Sequence, residues 1–390
     1  MTTTDPLQEP WLITIHPLTT SITILALTIY LTLVQHLRYQ RKTAIEAPFT
    51  TNKRPLSSMT IQEAHAIITQ LQELEFPYAF AKARRMALLK AGGIPTMSKL
   101  FAVTGQNNRR NAGKRAVDTE ILLRESQSQR RDSDRYATAV ARMNYLHARY
   151  RRANKITDDD LLHTLGDGLA EILNVIEREE WRGLTDVEIC ALGIFHKNLG
   201  EDMGISFDVL PSKAEGWKDG VQFALELTRW TVQYEERVAR FTATNDQLES
   251  PGYFLSFLIN VVQTSRKLFL RYLALPRPTF RAVKLVHDVP NQETKLYNFE
   301  RKVLQPWYIR PTAWSKWGPE ALLVRLFGGK VPGSRGDRYQ PQGYDLMTIG
   351  PEPQRGRGVD EMRGDIEVIK ARGVAMCPFS KAKLDHLGAK

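Results

Sequence analysis

The stretch Lys114–Tyr150 has the sequence KRAVDTEILLRESQSQRRDSDRYATAVARMNYLHARY. Its pattern predicts two helices joined by a polar turn at 126–133, with Asp132 or Ser133 capping the second helix and basic residues near its end at Ala153. On the second helix, one face is formed by residues three and four apart: Ala139, Met143, Leu146, His147 and Tyr150. We therefore expect His147 to point into apolar surroundings.

Two interpretations of His147 follow from the residues alone. Most inward histidines donate a hydrogen bond to a backbone carbonyl and have no chemical role. A neutral imidazole in an apolar pocket is, equally, a good ligand for a transition metal.

A family resemblance favours the second interpretation. The pattern R-x-x-D-T at Arg115–Thr119, followed by L-H-A-R-Y at Leu146–Tyr150, resembles the catalytic domain shared by fungal mpaB-type ER-bound oxygenases and bacterial rubber oxygenases. Similar stretches recur at Glu75–Pro77, at Gly93–Thr96 and along Trp181–Ile205. The resemblance extends from Thr60 to about Gly350.

The resemblance implies an all-α, globin-like helical heme-binding domain. By residue-to-residue correspondence, His147 is the iron ligand of a heme b, and Arg115 and Thr119 are cofactor-binding and catalytic residues of its pocket. Arg115 would pair with a heme propionate or polarise dioxygen. The rubber oxygenases carry a lysine at the position of Asp118; we keep Asp118 among the catalytic candidates and expect the distal side of the site to differ.

The resemblance also implies an activity. Relatives cleave carbon–carbon double bonds of isoprenoid chains with dioxygen, so we expect a heme-dependent oxygenase of secondary metabolism that acts on a hydrophobic, isoprenoid or terpenoid substrate. The alternative is a non-catalytic, membrane-anchored relative that has lost heme or substrate access.

An apolar stretch near the N-terminus predicts a membrane anchor. Leu18–Leu37 contains ten Leu, Ile and Val, and no charged residue lies between Glu9 and Arg38. Twenty residues span roughly 30 Å of hydrocarbon as a helix. A cleaved signal peptide would have positive charge before the stretch, but here HLRYQRK follows it. We expect a single-pass protein of the endoplasmic reticulum membrane with its main domain in the cytosol.

These features predict five regions along the chain. They are an N-terminal tail at 1–10, a transmembrane helix at 11–37, a linker at 38–58, a helical catalytic domain at 59–350 and a polar C-terminal tail at 351–390.

Charge and cysteine content restrict the partners. The net charge is +11, and residues 81–155 alone hold 18 Lys and Arg against 5 Asp and Glu. Because the basic residues lie on periodic, apolar-faced helices, we expect this surface to face membrane lipid rather than nucleic acid. The two cysteines, Cys190 and Cys377, do not form a disulfide framework.

Some features depart from the family pattern or leave alternatives open. Gly166-Asp167-Gly168 interrupts an otherwise apolar helix, with Asp167 adding a polar group to a pocket wall, and the chain between Thr244 and Tyr253 is short. The pair Asp160 and His163 raises the possibility of a di-metal site, although no second copy of the motif is present. We place His163 at the surface or beside the site, and keep His196 as an alternative iron ligand.

Overall fold

The computed structural model describes residues 17–51, 53–105, 111–238, 253–300, 305–374 and 377–379. Within these residues the chain forms helices and no β-strand, with only two isolated bridges, Val286–Phe299 and Tyr297–Tyr344. The predicted all-α fold, preceded by an N-terminal apolar helix, is confirmed. The α-helices are α1 (Pro17–Thr50), α2 (Ile61–Gln70), α3 (Pro77–Lys90), α4 (Pro95–Val103), α5 (Ala112–Ser128), α6 (Asp134–Arg152), α7 (Asp158–Glu179), α8 (Asp186–Asp202), α9 (Gly220–Val238), α10 (Tyr253–Leu268), α11 (Ala313–Trp317), α12 (Pro319–Leu326) and α13 (Val359–Ala371).

Threonine capping boxes begin three of the core helices. The side chains of Thr60, Thr157 and Thr185 each accept a hydrogen bond from the backbone amide of the third helical residue. The carboxylate of that residue accepts one from the backbone amide of the threonine. This reciprocal bonding satisfies two amides that the start of a helix otherwise leaves unpaired.

The core is a layered helical bundle. Helix α8 packs against α2 and α9, α7 packs against α3 and α9, and α6 packs against α5 and α13. The α8–α9 contact is close because two glycines face each other: a Cβ on Gly193 would lie 1.9 Å from the carbonyl oxygen of Gly220. The described residues between α10 and α13 form turns and the two short helices α11 and α12.

Helix α1 is longer than the predicted anchor. Among the described residues, one helical stretch, Leu18–Thr50, is long and apolar enough to cross a membrane. The helix continues past residue 37, so residues 38–50 of the predicted linker are helical. No glycine or proline occurs between Arg38 and Ala47, and the ion pair of Lys42 with Glu46 at 3.5 Å supports the extra turns.

The prediction of a polar C-terminal tail at 351–390 is wrong for its middle part. Val359–Ala371 forms α13, which packs on α6 with Met362 and Ile369 buried, and the side chains of Cys377 and Phe379 are also buried. The apolar residues Met362, Ile366 and Ile369 recur at helical spacing, and this amphipathic pattern was not recognised. The short segment between Thr244 and Tyr253 lies mostly outside the described residues.

The two glycines of the Gly166-Asp167-Gly168 stretch have different surroundings, although both lie inside α7. A Cβ on Gly166 would lie 1.9 Å from Oγ1 of Thr231 and 3.0 Å from Cδ1 of Leu227, both on α9, whereas a Cβ on Gly168 would meet nothing within 4 Å. The close contact between α7 and α9 therefore requires a glycine at position 166, whereas it does not require one at position 168.

We predict opposite effects of alanine at these two positions. Gly168→Ala should raise the free energy of unfolding by about 0.5–1 kcal/mol, because alanine restricts the unfolded chain and favours helix. Gly166→Ala should lower it by about 1–3 kcal/mol, because the new methyl forces α9 away. Chemical unfolding of the detergent-purified protein, followed by circular dichroism, measures both; shifts of the same sign would contradict the assigned packing.

Candidate functional site

The candidate site is built on the α5–α6 hairpin. The side chain of Ser133 accepts a hydrogen bond from the backbone amide of Tyr136, which begins α6 where the sequence predicted. Helices α5 and α6 are in contact and only residues 129–133 connect them, so they run antiparallel. Arg115, near the start of α5, and His147, near the end of α6, therefore lie towards the same end of the hairpin, away from the turn.

His147 lies beside a cavity of about 280 Å³. The side chain is half-buried, and its Nδ1 is buried with no hydrogen-bond partner among the residues that the structure describes. Burial, together with the nearby Arg151, lowers the pKa of His147 to about 4. At neutral pH the ring is therefore an uncharged imidazole with a lone pair available to a ligand.

Four helices and a short loop form the wall of this cavity. They contribute Asn144, His147, Ala148 and Arg151 from α6, Leu161 from α7, Glu201 to Gly204 around the end of α8, and Asp365, Val368, Ile369 and Arg372 from α13 and its end. Sequence reasoning missed the contribution of α13, because this stretch had been assigned to a polar tail.

Arg115 is a cation without a carboxylate partner in the described part of the chain. Its guanidinium stacks over the ring of Phe101 at 3.8 Å, and its Nε is buried with no hydrogen-bond partner among those residues. Burial lowers the pKa of Arg115. A partly buried guanidinium without a carboxylate partner favours the binding of an anion beside it. Thr119 is half-buried one turn further along α5. Neither residue is among those described as lining the His147 cavity.

Asp118 is occupied by contacts within the protein. Its Oδ1 accepts a hydrogen bond from the Tyr308 hydroxyl at 2.7 Å, and its Oδ2 accepts one from Nζ of Lys114, also at 2.7 Å. Lys114 Nζ also donates to the carbonyl of Gly350 at 2.9 Å. Burial raises the pKa of Asp118 to about 6, although Lys114 opposes the shift. The amine of this region is thus at position 114, one turn before Asp118.

His196 is a second buried, neutral histidine. Its Nδ1 donates to the carbonyl of Leu192 at 2.8 Å, and burial lowers its pKa to about 4, with the Leu192 hydrogen bond opposing. Metal-bound histidines commonly have their other nitrogen fixed in this way. The same geometry is also common in histidines that only pack, so His196 remains an alternative ligand.

The structure places His163 inside the protein, which excludes the surface location, one of its two predicted locations. Its Nε2 lies 3.1 Å from Oε1 of Glu235, and Glu235 also pairs with Lys90 at 3.1 Å. Lys90 contacts Glu171 at 2.8 Å and Asp167 at 3.5 Å as well. Burial raises the pKa of Asp167 to about 6, with Lys90 opposing.

The other member of the D-x-x-H pair also has a packing role. Asp160 caps α7, and its Oδ1 accepts hydrogen bonds from Thr96 at 2.5 Å and Tyr234 at 3.2 Å. In the described ranges, no group of three or more His, Cys, Asp and Glu side chains is arranged to hold a metal ion. The motif therefore connects α7 to α4 and α9.

The chain is similar to three fungal proteins, each over more than half of its length. It is 34% identical to an ER-bound oxygenase mpaB' of Penicillium brevicompactum, covering 90% of this chain and 92% of that protein. It is 36% identical to an ER-bound oxygenase mpaB of the same organism, over 80% and 84%, and 39% identical to an ER-bound oxygenase mpaB of Penicillium roqueforti (strain FM164), over 53% and 70%.

No family model matches the chain, and no solved structure matches it. The identity to the curated relatives, over nearly the whole length of both chains, is sufficient for assignment. The chain belongs to the mpaB-type ER-bound oxygenase family.

Proposed function

We propose that this protein is a membrane-anchored, heme b-dependent oxygenase that cleaves a carbon–carbon double bond of a hydrophobic isoprenoid or terpenoid substrate. Membership of an oxygenase family supplies the reaction class and the use of dioxygen. The observation that most supports the heme is His147, a neutral imidazole with an unpartnered nitrogen beside a cavity.

The chemistry of the donor groups fits heme b. His147 offers an uncharged ring nitrogen to iron, and its depressed pKa keeps the proton from competing at neutral pH. Arg115 offers an unpaired, partly buried guanidinium, which would form a charge-assisted pair with a propionate carboxylate. Both unsatisfied groups lie towards the same end of one hairpin, and one ligand that carries a metal and a carboxylate would satisfy both, although Arg115 does not line the His147 cavity itself.

Heme b held by His147 would supply the activation of dioxygen. Cleavage of one double bond by one dioxygen molecule gives two carbonyl groups, so the reaction balances without an external reductant. Arg115 would orient the cofactor through its carboxylate, and the hydroxyl of Thr119 would donate a hydrogen bond on the same face of α5. Helix α13, which covers α6, would exclude bulk water from the His147 side.

We further propose a single membrane span in the endoplasmic reticulum with the main domain in the cytosol. The relatives are named ER-bound, and α1 supplies one helix of sufficient length and apolarity. The basic run after Leu37 supports the orientation. A hydrophobic substrate would reach the enzyme from the lipid phase.

One observation favours a second candidate, a non-catalytic anchored relative. The His147 cavity of about 280 Å³ lies just below the roughly 300–1,000 Å³ of typical ligand pockets. Its wall also carries charged groups, among them Arg151, Asp365 and Arg372. In this alternative the protein keeps the fold and the membrane anchor without the cofactor.

We predict that His147→Ala abolishes heme retention. Heme occupancy should fall by at least about tenfold, since even the loss of a ligand's hydrogen-bond partner typically weakens metal binding 10–100-fold. The measurement is the Soret absorption, per mole of protein, of full-length protein purified in detergent after expression with ample heme.

Matched histidine variants serve as controls. His65→Ala on α2, His163→Ala and His196→Ala should keep the Soret band, and equal helicity by circular dichroism verifies folding. Loss of the band in His196→Ala with retention in His147→Ala would show that the iron ligand is His196 on α8. Wild-type protein without a Soret band would favour the non-catalytic alternative.

The depressed pKa predicts how heme binding depends on pH. An unfolded histidine takes up a proton near pH 6.5, whereas His147 in the fold takes it up near pH 4. As pH falls below 6.5, this difference favours unfolding, but the folded ring stays neutral and keeps its lone pair. The Soret band should therefore be unchanged from pH 7.5 to 5.5; loss centred near pH 6.5 would contradict a shielded His147 ligand.

We predict that protease added to sealed microsomes digests the domain after Arg38. The positive flank should hold this side in the cytosol. Immunoblotting with an antibody to the C-terminal part measures the digestion, and a lumenal chaperone serves as the protected control. Full protection of the domain without detergent would reverse the orientation.

A further inference from the structure

The segment after α10 is attached to the membrane-spanning part of α1. The hydroxyl of Tyr30 donates to the carbonyl of Leu273 at 2.6 Å, and the Nε2 of Gln35 donates to the carbonyl of Arg271 at 2.8 Å. Tyr30 precedes the end of the apolar stretch, Leu37, by seven residues, or about 10 Å along a helix. If α1 spans the membrane, Leu273 therefore lies below the membrane surface.

The side chains of this segment suit that depth. The exposed large apolar residues here are Leu268, Phe269, Tyr272, Leu273 and Leu275. A contiguous apolar surface of this kind is unfavourable in water and favourable in hydrocarbon. The turn Phe269–Leu273 thus places a second element of the protein beside the span at the membrane boundary.

A cavity of about 1020 Å³ lies between this segment and the end of the span. Two carboxylates, Glu75 and Glu180, line it. It is also lined by five arginines, Arg38, Arg41, Arg266, Arg277 and Arg281. The cavity therefore has a surplus of positive charge at the depth where lipid headgroups lie.

The carboxylates are already paired. Arg41 contacts Glu75 at 2.6 Å, and Arg266 contacts Glu180 at 2.8 Å. Three arginines, Arg38, Arg277 and Arg281, have no carboxylate within ion-pair distance among the described residues. They supply the excess positive charge.

The most informative of them is Arg38. It is only 7% exposed, and its guanidinium stacks over Trp181 at 4.7 Å. Its Nη1 donates to the carbonyl of Leu275 at 3.5 Å, but its Nε is buried with no hydrogen-bond partner among the described residues. Arg277 donates to the carbonyl of Leu74 at 3.4 Å, and burial together with Arg41 lowers its pKa. The unpartnered Nε of Arg38, a donor on a buried guanidinium, indicates an absent acceptor.

We propose that this cavity binds the phosphate of an anionic membrane phospholipid. Arg38, Arg277 and Arg281 contact the headgroup, and the acyl chains run along Leu270 and Leu275 into the membrane. Free phosphate has the same headgroup chemistry, but the apolar wall and the depth set by Tyr30 select a lipid. The proposal rests on the proposed membrane anchoring and is independent of heme.

The test measures lipid binding by full-length protein in detergent. Native mass spectrometry, with phosphatidic acid, phosphatidylcholine or inorganic phosphate added, should show one retained phosphatidic acid, bound at least about tenfold more tightly than phosphatidylcholine. The double variant Arg277→Gln/Arg281→Gln should lose that preference by at least about tenfold. The charge-matched control Arg355→Gln/Arg363→Gln, at exposed positions, should keep it.

Each other outcome overturns the proposal. Equal binding of both lipids, or unchanged binding by the double variant, removes the site. Binding of phosphate as tight as that of phosphatidic acid makes it a site for a soluble anion. Should the double variant misfold, Arg281→Gln alone, at an exposed side chain, provides the comparison. Because the readout is mass, absence of heme leaves the result interpretable, and carbonate extraction tests the anchoring separately.

Discussion

A buried ion pair between Arg131 and Asp202 holds the helices of the His147 region together. The guanidinium donates to both carboxylate oxygens, at 2.8 and 2.7 Å, and the hydroxyl of Tyr136 and the guanidinium of Arg372 bind the same carboxylate at 2.9 and 2.5 Å. One carboxylate thus joins the α5–α6 turn, the start of α6, the end of α8 and the end of α13. Removing one partner of a pair this well buried typically costs about 3–5 kcal/mol.

The geometry of the His147 cavity follows from this network. Asp202 and Arg372 line the cavity and are also members of the network, so the wall and the joint between helices share side chains. Asn144, one turn before His147, donates to the backbone carbonyl of Asp202 at 3.0 Å. The position of the His147 ring therefore depends on contacts with α8 and α13 as well as on α5 and α6.

Local features of the fold could be predicted from the sequence. Ser133 and the capping threonines act within four residues of themselves, and the inward face of α6 depends only on helical spacing. Candidate site residues came from a family resemblance, and their roles toward heme remain predictions. The unsatisfied state of His147 and Arg115 is a tertiary property, which no local pattern contains.

Contacts between distant segments could not be predicted. Asp118 binds Tyr308, 190 residues away, and Arg142 donates to the carbonyl of Ile349 at 2.8 Å. No sequence pattern around Ile349 or Tyr308 identifies the side chain with which its carbonyl or phenol forms a hydrogen bond. For the same reason the bonds from Tyr30 and Gln35 to the segment after α10 were invisible until the two elements were seen together.

The position of α13 in the chain has a consequence for biosynthesis. Arg372 is made 225 residues after His147. At about 5–20 residues per second, roughly ten to fifty seconds separate the two on the ribosome. During that interval α1 has already been made, while the side of α6 that carries His147 still lacks α13. The α13 wall of the His147 cavity can therefore form only after α6, α7 and α8, which supply the rest of the wall, have been made.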